Sequence, residues 1–156
     1  MPQLIKELKD EHNTLKSLLF MIKNDQMSYD EKLSMVQTSK KKLLEHLQKE
    51  DLQLYPVLRN HAETDPMLAQ KLILFDKNMG DVTKKALHFY EKYDKGWSGN
   101  KRFTFIMDLA ELTTLLDRRL KIEEANLYPE YETRRSSKGH LTPPSVLSRL
   151  KKLFGL

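Results

Sequence analysis

A chain of 156 residues can form one domain with a hydrophobic core, and 39% apolar with 31% charged residues is typical of amphipathic helices. It contains no cysteine, which excludes disulfides, thiolate zinc sites, iron–sulfur clusters and cysteine nucleophiles. The formal net charge of +5 comes from residues 134–156, which hold six Lys or Arg and no acidic residue, so the near-neutral remainder argues against nucleic acid as a partner.

Four segments carry apolar residues at spacings of three and four, which is the period of an amphipathic helix. They cover residues 5–22, 36–57, 68–93 and 105–127. The breaks between them are short, and short connections between long helices make antiparallel neighbours. The sequence therefore predicts an all-α fold, an up-down-up-down antiparallel four-helix bundle over residues 1–133.

The second and fourth segments contain two copies of one motif, 73 residues apart. The first copy reads HLQKEDLQLYP over residues 46–56, and the second reads RLKIEEANLYP over residues 119–129. The glutamate and the Leu-Tyr-Pro triplet recur in register. Pro56 should kink the second helix or end its regular part, because proline removes a backbone donor and crowds the preceding turn.

Polar residues interrupt the apolar stripes at five positions where the neighbours one turn away are apolar. These residues are His12, His46, Glu50, Arg119 and Glu123. Their positions along the helices predict that all five share one layer of the bundle, with Met79 beside them. Burying such groups without partners costs several kcal/mol. They must therefore satisfy one another or bind a cation.

This pattern resembles the haemerythrin-like (HHE) cation-binding family. That family places a histidine on the first and third helices and His-x-x-x-Glu on the second and fourth. The phrase Glu-Glu-x-x-Leu-Tyr-Pro is also typical of it and stands here at residues 123–129. The resemblance covers about residues 4–134 and implies metal ligands at His12, His46, Glu50 and Glu123. It also implies that two ligand histidines are replaced, by Met79 and Arg119.

Both replacements fall on one of the family's two irons, so the resemblance implies a mononuclear site. Two imidazoles with carboxylates suit ferrous iron and also accommodate zinc or manganese. Arg119 is expected to clasp carboxylate oxygens where the second ion would lie. With both glutamates ionised and Arg119 charged, the pocket carries a net charge of minus one. Either a divalent ion or a protonated histidine offsets it, so a metal-free ion-pair network stays open as the alternative.

The functional expectation is a metal-binding domain with a sensing or metal-handling role, for which O2 or NO would be the ligand sensed. The alternative is a metal-free interaction or regulatory module. We do not expect an enzyme, because the sequence has no nucleophile–base pair and no glycine-rich phosphate loop. The opening residues predict an amphipathic helix rather than a signal peptide, so we expect a cytoplasmic protein. Tyr55 and Tyr128 are expected to pack at the bundle end, with support of a carboxylate ligand as the alternative role.

Residues 134–156 are predicted to form a basic linker followed by a short amphipathic helix. Its apolar and cationic faces supply the candidate contact residues Leu147, Arg149, Leu150, Lys151, Lys152, Leu153 and Phe154. Three partners fit such a helix: the bundle itself, the groove of a partner protein, or an anionic membrane surface. The last would place the protein peripherally at the inner membrane surface.

Overall fold

The computed structural model describes residues 3–134, and these residues form four antiparallel helical rods. The α-helices within them are α1 Gln3–Ile22, α2 Tyr29–Lys49, α3 Tyr55–Ala62, α4 Pro66–Tyr93, α5 Arg102–Ile122 and α6 Tyr128–Arg134. Two π-helical segments, Glu50–Leu54 and Glu123–Leu127, join α2 to α3 and α5 to α6 without a break. Successive rods pack together and α1 also contacts α5, which closes the bundle. The predicted all-α bundle is confirmed.

Local sequence explains where the rods begin. The Ser28 hydroxyl accepts the Glu31 backbone N–H and donates to the Glu31 carboxylate, which caps the start of α2. Asp65 accepts the Leu68 backbone N–H at the start of α4, and Pro66 occupies the first turn. These caps set the antiparallel register of the rods.

The hydrophobic core is divided into two clusters by a polar layer. The His12 side chain lies between Leu8, which belongs to one apolar cluster, and Leu15, which belongs to the other. On the fourth rod, Arg119 and Glu123 likewise fall between apolar residues of the two clusters. Apolar packing above and below the polar layer separates it from water, so its side chains must find partners within the bundle.

The two π-helical segments have the same position in the two motif copies. Each starts at the glutamate and ends before the tyrosine, and the tyrosine backbone N–H bonds to the glutamate carbonyl five residues earlier. Proline follows in both copies, and its ring would collide with a carbonyl four residues back in a regular α-helix. The regular part of the second rod therefore ends at Lys49, ahead of Pro56, and the rod continues as α3.

At the other boundary, the fourth rod continues through Arg134, which ion-pairs with Asp65 and Glu130. The predicted linker therefore starts after Arg134. The remaining linker and the predicted C-terminal helix lie outside the described residues, as do the candidate contacts on that helix. None of the helices within residues 3–134 has both the length and the apolar character needed to cross a lipid bilayer.

Candidate metal centre

Three of the four rods supply the side chains that meet in the polar layer. His12 comes from α1 and His46 from α2, while Glu50 and Glu123 are the first residues of the two π-helical segments. One donor atom from each residue lies within 4.8 Å of all the others. The four side chains are buried, with His46 exposed by 1% and the others by 0%. The structure thus brings together the four residues that the resemblance implies as ligands.

The two histidines point the same nitrogen into the cluster. Their Nε2 atoms lie 3.0 Å apart, and the rings meet edge-on with centroids 4.6 Å apart. Each Nδ1 faces a carboxylate at the margin of the cluster: His46 Nδ1 lies 2.8 Å from Glu11 Oε1, and His12 Nδ1 lies 3.5 Å from Glu124 Oε1. Only the first contact has hydrogen-bond geometry. Carboxylates in this position orient a metal-ligating histidine and leave its other nitrogen free for the ion.

The Tyr128 hydroxyl lies among the donor atoms of the cluster. Its Oη is 2.9 Å from Glu50 Oε2, 3.1 Å from Glu123 Oε2 and 2.9 Å from His12 Nε2. The Tyr128 and His12 rings stack with centroids 5.5 Å apart. Tyr128 is fully buried and reaches both carboxylates, which agrees with the alternative role, contact with a carboxylate, rather than with packing at the bundle end.

Arg119 lies on the fourth rod, at a position where the resemblance implies a replaced ligand histidine. Its Nε donates to Glu123 Oε1 at 2.7 Å, and its Nη1 donates to the Thr83 hydroxyl. The guanidinium carbon also lies 5.2 Å from the centre of the Phe75 ring. Met79, one turn before Thr83 on α4, is 1% exposed and belongs to an apolar cluster of the core. Arg119 thus clasps one carboxylate, and Met79 serves as packing.

The charges in the layer are interdependent. Burial opposes the charged form of His46, but the negative charge of Glu50 and the hydrogen bond to Glu11 raise the His46 pKa to about 10. Burial and the charge of Glu123 raise the Glu50 pKa to about 8. Burial also disfavours ionised Glu123, yet the Arg119 charge holds the Glu123 pKa well below its usual range. Without a metal, His46 and Arg119 are the cations that balance the buried glutamates.

The spacing of the donors matches a single ion. Two ligands that each lie about 2.1 Å from one ion are about 3.0 Å apart at right angles and about 4.2 Å apart when opposite. The Nε2–Nε2 distance of 3.0 Å fits the first arrangement, and the 4.8 Å spread needs only a small contraction. Glu50 Oε1 is also buried without a hydrogen-bond partner among the described residues. The residues present therefore fit one ion.

Several residues of the layer were not foreseen from the sequence. Glu11 hydrogen-bonds the outer nitrogen of His46, Glu124 faces that of His12, and the Thr83 hydroxyl accepts a hydrogen bond from Arg119. Asp51, next to Glu50, is 2% exposed. Glu11 and Glu124 each adjoin a residue of the cluster in the sequence, which is a usable signal because carboxylates commonly support ligand histidines. No spacing rule would have found Thr83.

Tyr55, the counterpart of Tyr128 in the first motif copy, packs as expected. The centroid of its ring lies 6.3 Å from that of the Phe75 ring. The Arg59 guanidinium carbon lies over the Tyr55 ring, 5.6 Å from its centroid. The Tyr55 hydroxyl is buried and has no hydrogen-bond partner among residues 3–134. It does not support a carboxylate of the cluster.

Comparison with known proteins gives one family match. The model of the hemerythrin HHE cation binding domain matches residues 3–131. No curated protein and no solved structure matches the chain. The matched range includes every residue of the polar layer.

Proposed function

The chain belongs to the hemerythrin HHE cation-binding domain family, and we propose that it binds one metal ion, a mononuclear non-haem iron. The proposed ligands are His12, His46, Glu50 and Glu123. A domain of this family implies a metal-binding site. What the proposal adds is the number of ions, their identity and the use of the site.

The observation that carries the proposal is the orientation of the two histidines. Both turn Nε2 toward the glutamates, 3.0 Å from each other, and both turn Nδ1 toward Glu11 or Glu124. Two imidazole nitrogens placed this close together, with carboxylates behind both rings, form the arrangement that divalent metals use.

One ion rather than two follows from Arg119. Its guanidinium is bonded to Glu123 and Thr83, so it provides a fixed positive charge in place of a second cation. Its pKa lies above its ordinary value, because the negative charge of Glu123 outweighs burial, so it stays charged. A second ion at this position would have to displace a hydrogen-bonded cation.

The donor chemistry favours iron, with zinc and manganese as the competing ions. Two imidazoles and two carboxylates are borderline to hard ligands, which ferrous iron prefers. Ferrous iron held by these residues would leave coordination positions at which a diatomic ligand such as O2 or NO can bind. Within the layer, Arg119 and Tyr128 already engage the carboxylates, so we propose binding rather than catalysis.

We further propose a sensing role in the cytoplasm. The ligands lie on three rods, and two of them begin the π-helical segments that lead into α3 and α6. A change in ligation would therefore act on three helices at once, at the points where the backbone departs from regular α-helical geometry. Such π-helical turns are frequent at functional sites.

Metal analysis of protein purified without chelator tests the binding proposal. We expect close to one equivalent of iron per chain, falling to background in His46→Ala, because that substitution removes one inward nitrogen. His88→Ala is the matched control: His88 is exposed on α4, outside the polar layer, and this variant should keep its metal. One equivalent of zinc or manganese would support the proposed site but change the identity of the bound ion.

The metal-free network is the second candidate, and a specific observation favours it. The pKa of His46 is raised to about 10, so a protonated His46 together with Arg119 can neutralise both glutamates without any ion. In that case wild type and His46→Ala would carry the same background level of metal, even after incubation with ferrous iron and gel filtration. That result would reject the binding proposal.

Hydrogen exchange tests the sensing role separately. The comparison is between Fe(II)-loaded protein with and without nitric oxide, under anaerobic conditions. We expect altered protection in α1 around His12 and in the two π-helical segments. Unchanged protection throughout these regions would leave a metal-binding domain without the proposed transmission.

A further inference from the structure

Tyr128 lies on the side of the cluster where an ion would bind. Residues that support a ligand from behind contact the atom that faces away from the ion, as Glu11 does at His46 Nδ1. The Tyr128 hydroxyl instead contacts His12 at Nε2, the same nitrogen that approaches His46. It is therefore within the set of donor atoms rather than behind it.

The Tyr128 hydroxyl contacts three atoms that can each bind a metal. A tyrosine hydroxyl has a single proton to donate. Tyr128 Oη nevertheless lies within 3.1 Å of one oxygen of Glu50, one oxygen of Glu123 and one nitrogen of His12. These are groups whose metal-binding forms all act as acceptors. A cation shared by Tyr128 and these three groups would satisfy all of them together.

The distances fit coordination as well as hydrogen bonding. Adjacent ligands of one ion are about 3.0 Å apart for metal–ligand bonds of about 2.1 Å. Tyr128 Oη lies at 2.9 Å, 2.9 Å and 3.1 Å from its three neighbours, and the two Nε2 atoms lie 3.0 Å apart. Five donor atoms are thus linked by four separations of adjacent-ligand size.

The backbone places Tyr128 there through the second π-helical segment. In a regular α-helix, residues five apart point about 140° away from each other. A π-helical turn closes over five residues, so Glu123 and Tyr128 face the same side. Glu123 Oε2 and Tyr128 Oη are consequently 3.1 Å apart.

We propose that Tyr128 is a fifth protein ligand, which coordinates the ion through its phenolic oxygen alongside His12, His46, Glu50 and Glu123. Formation of the metal–oxygen bond releases the phenolic proton to solvent, and no electron is transferred. The inference rests on the proposed metal site and adds a ligand to it. It also leaves fewer coordination positions for a sensed molecule than a four-ligand site would.

The test is the absorption spectrum of iron-loaded protein after conversion to Fe(III). A phenolate bound to Fe(III) gives an intense visible charge-transfer band with resonance-enhanced tyrosinate vibrations, and a phenol that only donates a hydrogen bond gives neither. We expect the band in wild type and its loss in Tyr128→Phe, with metal affinity lowered about tenfold or more. The affinity change alone would not separate coordination from support, so the band decides.

Tyr55→Phe is the matched control, because Tyr55 is the counterpart residue and contacts none of the donors. It should keep both the band and the affinity. A wild-type protein that holds one iron without a tyrosinate band, or a band that survives in Tyr128→Phe, would overturn the inference and leave the metal site standing. Absence of bound iron in wild type would overturn both.

Discussion

The two motif copies, residues 46–56 and 119–129, share a backbone and differ in chemistry. Both contain a π-helical segment that starts at the glutamate and ends before the tyrosine. The first copy opens with His46, whose Nε2 lies 3.0 Å from His12 Nε2. The second opens with Arg119, which donates to Glu123 at 2.7 Å. One scaffold therefore presents an imidazole, which can lose its proton, on one side of the layer and a permanent cation on the other.

If the chain binds one ion as proposed, this difference is a way to turn a two-ion site into a one-ion site without a change of fold. A lost histidine ligand would leave a buried glutamate without a partner, which is costly. Arginine in the same position supplies a positive charge and a hydrogen bond to that glutamate. Met79, at the other replaced ligand position, is buried as an apolar side chain.

The largest expected effect comes from restoring the two missing histidine ligands of the second ion. In Met79→His combined with Arg119→His, we expect metal content to rise from about one equivalent toward two, because both lost imidazoles return and the fixed cation is removed. Metal analysis after reconstitution with Fe(II) measures it. Arg119→His alone is the control and should stay near one equivalent. A double variant that also stays at one would mean that the missing ligands have been assigned to the wrong positions.

Removing the cation without restoring a ligand should destabilise the protein strongly. Arg119→Met leaves Glu123 buried beside Glu50 without its ion-pair partner, so we expect the free energy of unfolding of the metal-free protein to fall by about 3–5 kcal/mol. Urea denaturation measures it. Arg118→Met, at the exposed neighbouring position, should change it little. A loss of the same size in both variants would mean that the ion pair between Arg119 and Glu123 is not the cause of the destabilisation.

His46 should make the free energy of unfolding depend on pH. Folded His46 keeps its proton up to about pH 10, whereas an unfolded histidine loses it near 6.5, so between these values the folded chain holds more protons. Stability of the metal-free protein should therefore fall as pH rises, by about 1.4 kcal/mol per pH unit for this one group. Glu50, with a folded pKa of about 8, acts in the same direction.

Urea denaturation of chelator-treated protein at several values between pH 7 and pH 9 measures this slope. His46→Gln removes the titrating group and should flatten it, while His88→Gln at an exposed site should not. An equal slope in wild type and His46→Gln would assign the pH dependence to other groups.

Much of this arrangement was predictable from the sequence. The spacing of apolar residues predicted the bundle, and His46 with Glu50 and Arg119 with Glu123 were placed in one layer because each pair is four residues apart. That logic assumes regular α-helix, and so it failed for Tyr128, which is five residues from Glu123. A π-helical turn brings such a pair to one side, and only the proline that follows hints at it. Contacts between rods, such as that of Thr83 with Arg119, depend on rotations that no single helix encodes.

The smallest expected effect concerns Tyr55, the counterpart of Tyr128. Its hydroxyl is buried without a hydrogen-bond partner among the described residues, whereas the Tyr128 hydroxyl contacts two carboxylates. Removing an unsatisfied buried group relieves a desolvation cost, so Tyr55→Phe should leave the free energy of unfolding unchanged or raise it by up to about 1 kcal/mol. Tyr128→Phe in the metal-free protein should lower it by about 1–3 kcal/mol, because two buried carboxylates lose a donor. Urea denaturation of both variants in the presence of chelator compares them directly. Equal losses would mean that the Tyr55 hydroxyl has a hydrogen-bond partner of its own. The two tyrosines would then be equivalent, and the chemical contrast between the motif copies would rest on His46 and Arg119.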